Sequence, residues 1–156
     1  MTDLSFLRQA LQIAEESSAS GGGGPFGAVV VQEGVVVGTG RNRVVLDRDP
    51  TAHAEILAIR EAAQHLGTHV LDRCVIYCSC EPCPMCLAAI YWARIPRVVF
   101  ASGGREAESA GFDDTSIARE LTLRWSERAV ESLQALEEEG ASVLRDWREN
   151  PHRREY

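Results

Sequence analysis

Residues 50–57 read Pro-Thr-Ala-His-Ala-Glu-Ile-Leu, and residues 81–86 read Glu-Pro-Cys-Pro-Met-Cys. Both segments combine side chains that bind metals with signals for the start of a helix. The turn residues at the beginning of the first segment predict a helix over residues 51–66. In the second segment, Pro84 is typical of the first helical position and predicts a helix over residues 84–94. Two helix N-termini are therefore expected to meet at one site.

The metal-binding side chains follow the pattern H-x-E and then P-C-x-x-C. His53, Cys83 and Cys86 supply three ligands of a tetrahedral zinc site and leave the fourth position to water, as catalytic zinc sites do. Two thiolates and one imidazole favour zinc over magnesium or calcium. Zinc lowers the pKa of its water, and Glu55, which is not a ligand in this pattern, is expected to take the proton. The prediction is one zinc ion per chain.

Two other interpretations of these residues stay open. Cys80, Cys83 and Cys86 have the opening spacing of an iron–sulfur run, although Leu-Ala-Ala-Ile follows where such a run has a further cysteine and a proline. The second alternative is a structural zinc or interaction module in which Glu55 takes no part in chemistry.

Length and composition favour one ordinary domain, residues 1–156. A hydrophobic content of 45% is enough for a core of this size. No apolar run reaches membrane-spanning length, and the N-terminus lacks the regions of a signal peptide. Of the five cysteines, Cys74 and Cys78 fit the core, and the cluster as a whole fits metal binding in a reducing compartment. We expect a soluble, cytoplasmic protein with no membrane partner.

The net charge of −7 opposes binding to a phosphate backbone. No basic stretch carries interleaved aromatic residues. A nucleic-acid substrate is therefore disfavoured, although a negative net charge does not exclude a local basic patch on the surface.

Elements around the two segments alternate between strands and helices. The pattern predicts the following before residue 102: a helix over 4–14, a loop over 17–24, strands over 26–32 and 35–40, a polar approach over 44–50, and strands over 73–79 and 97–101. Helices are predicted over 114–121 and 141–148, whereas residues 127–139 show only helical propensity. A hairpin followed by alternating helices and strands predicts a mixed sheet in a three-layer α/β/α sandwich, with the metal at the strand ends.

The sequence resembles the cytidine deaminase superfamily, and within it the bacterial guanine deaminases. The likeness rests on these stretches: residues 23–28, 41–42, 49–55, 79–86, 90–94, 110–114 and 155–156. The zinc motif is shared with tRNA adenosine deaminases and cytosine deaminases, whereas Ala-Gly-Phe-Asp-Asp and the final Tyr are similar to the guanine branch. The resemblance fades between Thr122 and Val143.

The resemblance implies a cytidine deaminase-like fold and zinc-dependent hydrolysis of guanine to xanthine and ammonia. It implies that Asn42 hydrogen-bonds the base, that Phe26 packs on its face and that Ala54 contacts it. Asp114 is expected at a purine edge, where it accepts a proton or a hydrogen bond. Tyr156 is expected to close the pocket.

Ordinary structural roles stay open for three of these residues. Asn42 also fits a turn, Phe26 the core, and Asp114 a helix cap beside Asp113. The substrate is open as well, because selectivity depends on pocket geometry. Guanosine, cytosine, a triazine-like amine and adenosine in tRNA are the alternatives.

The resemblance further implies a homodimer that exchanges its C-terminal segments, residues 141–156. The apolar run Ile90-Tyr91-Trp92 offers a dimer surface on the second helix, with internal packing of Trp92 as the alternative. Asn150-Pro151 breaks the chain before a charged tail, and such a break permits exchange between subunits. A disordered tail is the simpler interpretation.

Overall fold

The structure, a computed structural model, describes residues 2–155. The strands are β1 (Gly27–Gln32), β2 (Val35–Arg41), β3 (Cys74–Cys80) and β4 (Arg97–Ser102). They form one sheet in the order β2-β1-β3-β4. β1 pairs antiparallel with both β2 and β3, whereas β3 and β4 are parallel. The predicted mixed sheet is confirmed.

Seven α-helices are present in the described range. They are α1 (Asp3–Ala19), α2 (Val44–Asp47), α3 (Ala54–Leu66), α4 (Pro84–Trp92), α5 (Gly104–Ser109), α6 (Asp114–Leu121) and α7 (Glu137–Glu149). A 3-10 turn spans Trp125–Glu127. None of these helices is long and apolar enough to cross a membrane.

The core lies on both faces of the sheet because side chains of a strand alternate between faces. On one face, Val29 and Val31 of β1 pack with Phe6 and Ala10 of α1. The other face packs against α3 and α4 and consists of the intervening residues of β1 and β3: Ala28, Val30, Ile76 and Cys78. Helices therefore cover both faces, and the α/β sandwich agrees with the sequence-based prediction.

Two glycines of β2 let α3 lie close to the sheet. A Cβ atom on Gly40 would lie 1.9 Å from the backbone oxygen of Ala54, the first residue of α3, and one on Gly38 would lie 2.4 Å from that of Ala58. Neither position can accept a side chain unless the helix moves. The start of α3 is thus held against β2 by direct backbone contact.

Two helices depart from the sequence-based boundaries near the N-terminal half of the chain. α1 continues to Ala19, so that Ser17 is helical and buried where a loop residue was predicted. The helix α2 forms within residues 44–50, which were predicted to be a polar segment without a helix. It is stabilised by the Arg43–Asp47 ion pair at 2.7 Å, an i,i+4 spacing that favours a helical turn.

The chain divides into two compact units, Met1–Ala118 and Arg119–Tyr156. The sheet and the helices α1 to α5 belong to the first unit. In the second unit, Arg128 lies over the Trp125 ring at 4.1 Å. Its helix α7 begins at Glu137, four residues earlier than predicted, and the acidic residues of that first turn favour a helix N-terminus.

Candidate active site

The three predicted metal ligands lie at the N-termini of two helices. His53 is the N-cap of α3, and Cys83 is the N-cap of α4, with Pro84 at the first helical position. His53 was expected inside the first turn and instead precedes it by one residue. Its Nδ1 lies 3.6 Å from Sγ of Cys83 and 3.5 Å from Sγ of Cys86.

This geometry fits a zinc ion. The ligand atoms all lie within 4.8 Å of one another. With Zn–S of about 2.3 Å and Zn–N of about 2.0 Å, a tetrahedral site has S···N edges of about 3.5 Å, close to the two observed separations. Two sulfurs and one imidazole nitrogen are also a donor set that zinc prefers. The residues present can therefore hold one zinc ion per chain.

Cys80 lies outside this cluster. Its thiol donates to the backbone oxygen of Gly103 at 3.6 Å, and within residues 2–155 the group of possible ligands contains only His53, Cys83 and Cys86. An iron–sulfur cluster would need Cys80 among its ligands. The geometry therefore favours the zinc interpretation over the iron–sulfur one.

The two cysteine ligands titrate as a coupled pair. The hydrogen bond from Cys86 lowers the pKa of the Cys83 thiol to about 4, and the same bond, together with burial, raises the pKa of Cys86. The hydrogen bond with Cys83 raises the pKa of His53. Zinc binding requires both sulfurs as thiolates and therefore releases protons.

Glu55 lies beside the ligands, in the first turn of α3, and is 7% exposed. Its Oε2 accepts a hydrogen bond from the thiol of Cys86 at 3.4 Å. Burial is the largest cause of a raised pKa for this carboxyl. A buried carboxyl group with a raised pKa is suited to both taking and returning a proton.

A cavity of about 210 Å³ adjoins the ligand cluster. Its lining includes every predicted site residue within the first unit except Ala54 and Cys86: Phe26, Asn42, His53, Glu55, Cys83 and Asp114. The volume is below that of typical drug-sized pockets and suits a small ring system. A larger cavity of about 570 Å³ includes Phe26 and Phe112 but neither His53 nor Glu55. The smaller cavity is therefore the candidate active site.

Asn42 has a fixed orientation in this cavity. It is 8% exposed, and its Oδ1 accepts hydrogen bonds from the backbone N–H groups of Gly24 at 3.2 Å and Val44 at 3.3 Å. These bonds assign the amide orientation and leave the Nδ2 group as the donor available to a ligand. The turn role considered for Asn42 and its role as a cavity residue are thus compatible.

Phe26 is both a core residue and a cavity residue. It packs against the core on the α3 side of the sheet, and its ring meets that of Phe112 edge to face, with centroids 4.7 Å apart and planes at 79°. Such pairs are stabilising beyond the area they bury. The two rings form one apolar wall of the cavity.

The structure separates the roles of Asp113 and Asp114. Oδ1 of Asp113 accepts a hydrogen bond from the backbone N–H of Ser116 at 3.1 Å, so Asp113 caps α6. Asp114, the first residue of α6, lines the cavity instead. Burial, followed by the charge of Cys83, raises the pKa of its carboxyl.

The remaining predicted site residues lie elsewhere. Ala54 is fully buried in the core, and its side chain does not line the cavity. Tyr156 lies outside the described residues. Sequence reasoning gave no role to Glu81, which lines the cavity and accepts a hydrogen bond from the backbone N–H of Gly104 at 2.9 Å. Because Glu81 immediately precedes Pro82-Cys83 in the sequence, its closeness to a predicted metal ligand could have marked it as a site residue.

Comparisons with known proteins agree with this geometry. The sequence profile of the cytidine and deoxycytidylate deaminase zinc-binding region matches residues 1–102. The guanine deaminase of Bacillus subtilis strain 168 is 45% identical over 156 residues, which is 100% of each chain. The solved structure of guanine deaminase from Bacillus subtilis has a TM-score of 0.97 and covers 100% of this chain and 99% of that one.

Two further likenesses cover less of the chain. The tRNA-specific adenosine deaminase of Aquifex aeolicus is 42% identical over 97 residues, which is 62% of this chain and 64% of that protein. A solved structure in complex with 2,6-diaminopurine is 35% identical, with a TM-score of 0.69, and covers 72% of this chain and 63% of that one.

Proposed function

Because the chain belongs to the cytidine and deoxycytidylate deaminase zinc-binding family, we propose that it is a zinc-dependent aminohydrolase that converts guanine and water to xanthine and ammonia. One observation carries the proposal. Within a chain similar over its whole length to a guanine deaminase, a single small cavity beside the cluster of His53, Cys83 and Cys86 brings together the Glu55 carboxyl, the Asn42 amide and the Asp114 carboxyl.

The proposed binding mode follows from the polarity of the cavity. The base lies against the apolar wall of Phe26 and Phe112. The Nδ2 group of Asn42 donates to a ring acceptor, and the carboxylate of Asp114 accepts from an N–H group at another edge. Guanine offers both acceptors and donors along its edges. A pocket that satisfies both kinds of group discriminates strongly against bases that lack one of them.

The proposed chemistry assigns proton transfer to Glu55. Zinc, when bound by His53, Cys83 and Cys86, supplies the Lewis acidity that lowers the pKa of water at the site. Glu55 takes one proton from that water and delivers it to the ring nitrogen beside the carbon that bears the amino group, while the water oxygen bonds to that carbon. Glu55 then takes the second proton from the same oxygen and gives it to the amine, so that the C–N bond breaks and ammonia leaves. The raised pKa of the buried carboxyl supports this exchange.

A direct test is an ammonia-release screen of the full chain with guanine, guanosine, cytosine, adenine and a triazine amine. We expect ammonia and the ultraviolet spectrum of xanthine with guanine, in equal amounts. Release from another amine alone would transfer the assignment to that substrate. No release from any amine by zinc-loaded protein would favour the structural zinc module.

The second candidate function is deamination of adenosine in tRNA, which the likeness to the Aquifex aeolicus enzyme favours. The charge of the cavity opposes it. Three carboxylates line the cavity, those of Glu55, Glu81 and Asp114, and its described lining contains no Lys or Arg. Binding of an anticodon stem-loop that weakens steeply with salt would support this candidate.

The proposal includes a homodimer in which residues 141–156 are exchanged. Tyr91 and Trp92 on α4 are 74% and 66% exposed in the single chain, and the exposed Val143 and Leu144 of α7 give that helix an apolar face. Apolar surfaces of this kind are typical of interfaces. A sedimentation mass of one chain at micromolar concentration would contradict the dimer. The role of Tyr156 in closing the partner's pocket stays a prediction.

The proposed location is the cytoplasm. All five cysteines are unpaired, as expected for thiols kept reduced for metal binding.

A further inference from the structure

Ser17 occupies an unusual environment for a serine near the end of a helix. It lies in α1, three residues before Ser20, and is 1% exposed. A helical serine commonly donates to the carbonyl four residues earlier in its own helix. Here the hydroxyl instead donates to the backbone oxygen of Gly24 at 3.0 Å and lies 3.4 Å from that of Asn42.

These two acceptors belong to the wall of the cavity. The backbone N–H of Gly24 donates to Oδ1 of Asn42 at 3.2 Å, and that of Asn42 donates to the backbone oxygen of Phe26 at 3.1 Å. A Cβ atom on Gly23 would lie 2.1 Å from the backbone oxygen of Asn42. The glycine run and Asn42 are thus packed backbone to backbone. The single O–H of Ser17 lies between the two segments, nearer to the oxygen of Gly24 than to that of Asn42.

We propose that Ser17 is a positioning residue that fixes the direction of the Asn42 amide and so determines how well the base is held. This inference rests on the proposed function. The hydroxyl does not line the cavity and touches no ligand atom. It acts through the carbonyl groups of Gly24 and Asn42, whose position determines where the Nδ2 donor of Asn42 lies.

Loss of the hydroxyl should be measurable because it removes the link from α1 to the backbone oxygens of Gly24 and Asn42. The oxygen of Gly24 keeps the N–H of Phe26 as a donor at 2.8 Å, so the change acts mainly on the buried contact with Asn42. In Ser17→Ala we expect kcat/KM for guanine to fall about tenfold, the effect of one buried hydrogen bond. Zinc content should stay unchanged, since no metal ligand is touched. The matched control is Ser20→Ala, which removes a hydroxyl from the same helix end. Ser20 donates to the backbone oxygen of Ser17 at 2.8 Å, so the Ser17 side chain keeps its bonds.

A double-mutant cycle distinguishes positioning from general destabilisation. If Ser17 acts through the Asn42 amide, Ser17→Ala should have little further effect in an Asn42→Ala background. The affinity for 2,6-diaminopurine, measured by calorimetry in the four proteins of the cycle, provides a second readout. Ser17→Ala should weaken this affinity in the unaltered background and have little effect on it in the Asn42→Ala background. If Ser17→Ala does not fold, Ser17→Cys, which is nearly the same size but a weak donor, replaces it in the cycle.

The outcomes separate this inference from the proposed function. Full activity of Ser17→Ala, or an equal loss in both backgrounds, would overturn the positioning role while leaving guanine deamination intact. An Asn42→Ala variant with unchanged turnover and binding would remove Asn42 from base recognition, and the inference would fail with it. A third outcome is that the unaltered protein does not turn over guanine, while the double-mutant cycle in 2,6-diaminopurine binding still shows coupling between Ser17 and Asn42. That result would reject guanine as the substrate and support the positioning role of Ser17.

Discussion

The two sides of the cavity are built in different ways. The metal side consists of His53 and Cys83, the N-caps of α3 and α4, and of Cys86 in the first turn of α4, so that a short sequence motif places each ligand at the start of a helix. The base side, against which we propose that the base lies, consists of Phe26, Asn42 and Asp114, which come from separate loops and element ends. The N–H of Gly24 orients Asn42, and the ring of Phe112 packs on Phe26. The proposed chemistry therefore rests on residues that local sequence brings together, whereas the proposed recognition of the base rests on tertiary contacts.

The largest expected effect is on the metal side. Glu55→Gln keeps the size of the side chain but removes its proton transfer, and turnover should fall by about 10²- to 10⁴-fold with zinc content unchanged. Steady-state kinetics and elemental analysis measure both quantities. Glu108→Gln, the same change on an exposed helix position, is the control and should leave kcat unaltered. Equal activity of the two variants would remove Glu55 from the mechanism.

Adjacent aspartates test the base side. Asp114→Ala should lower kcat/KM by about 10- to 100-fold, the range of a hydrogen bond to a charged group, with little change in stability. Asp113→Ala should instead lower the free energy of unfolding by about 1 kcal/mol, because it removes the α6 cap, with little change in kcat/KM. Denaturant unfolding together with kinetics separates the two effects. If Asp113→Ala proves the more damaging to catalysis, the assignment of the two residues must be exchanged.

A pair of glycines tests the tertiary packing behind Asn42. Gly23→Ala places a Cβ atom 2.1 Å from the Asn42 backbone oxygen, so the backbone must shift, at a cost of about 1–3 kcal/mol. Activity should fall with stability because the same contact holds Asn42. At Gly22 the nearest atom to a Cβ is Oγ of Ser20 at 3.5 Å, and Gly22→Ala should be tolerated. Equivalent melting temperatures for the two variants would contradict this packing.

The smallest effect is expected far from the cavity, on the α1 face of the sheet. Burial, followed by the hydrogen bond to Asp3 at 2.7 Å, raises the pKa of Tyr77 to about 12. Because the unfolded value is about 10, this contribution to stability is complete below pH 10 and disappears as pH rises toward 12. Tyr77→Phe should flatten the alkaline part of the stability curve and leave kcat unchanged. An unaltered curve would mean that Tyr77 does not titrate as described.

The sequence predicted that His53, Cys83 and Cys86 lie together, and these three residues form one cluster in the structure. The ligand spacing, the helix signals and Glu55 all lie within two short segments, and local signals are sufficient there. It also predicted the mixed sheet, since strand alternation is a local property. Asn42 and Asp114 were identified by resemblance, but the assignment of the α6 cap to Asp113 needed the bond to Ser116.

Two features of the first unit were missed, the burial of Ser17 and the short helix α2. Ser17 was placed in a loop because serine and glycine runs are typical of loops, yet its hydroxyl finds carbonyl groups of Gly24 and Asn42. The short helix α2 was also missed, although the bond at its start is local: its first N–H, that of Val44, donates to Oδ1 of Asn42 two residues earlier. In both cases the deciding bond joins α1 or α2 to the cavity wall.

The backbone contact between β2 and α3 limits how this protein can be engineered. Gly38 and Gly40 are poor strand residues, and a design that optimises strand propensity would replace them first. Each lies against the backbone of the helix that follows His53, so any added side chain would displace the metal ligand along with the helix. The most obvious stabilising substitutions in the sheet are thus the ones that a directed-evolution campaign would have to exclude from its library.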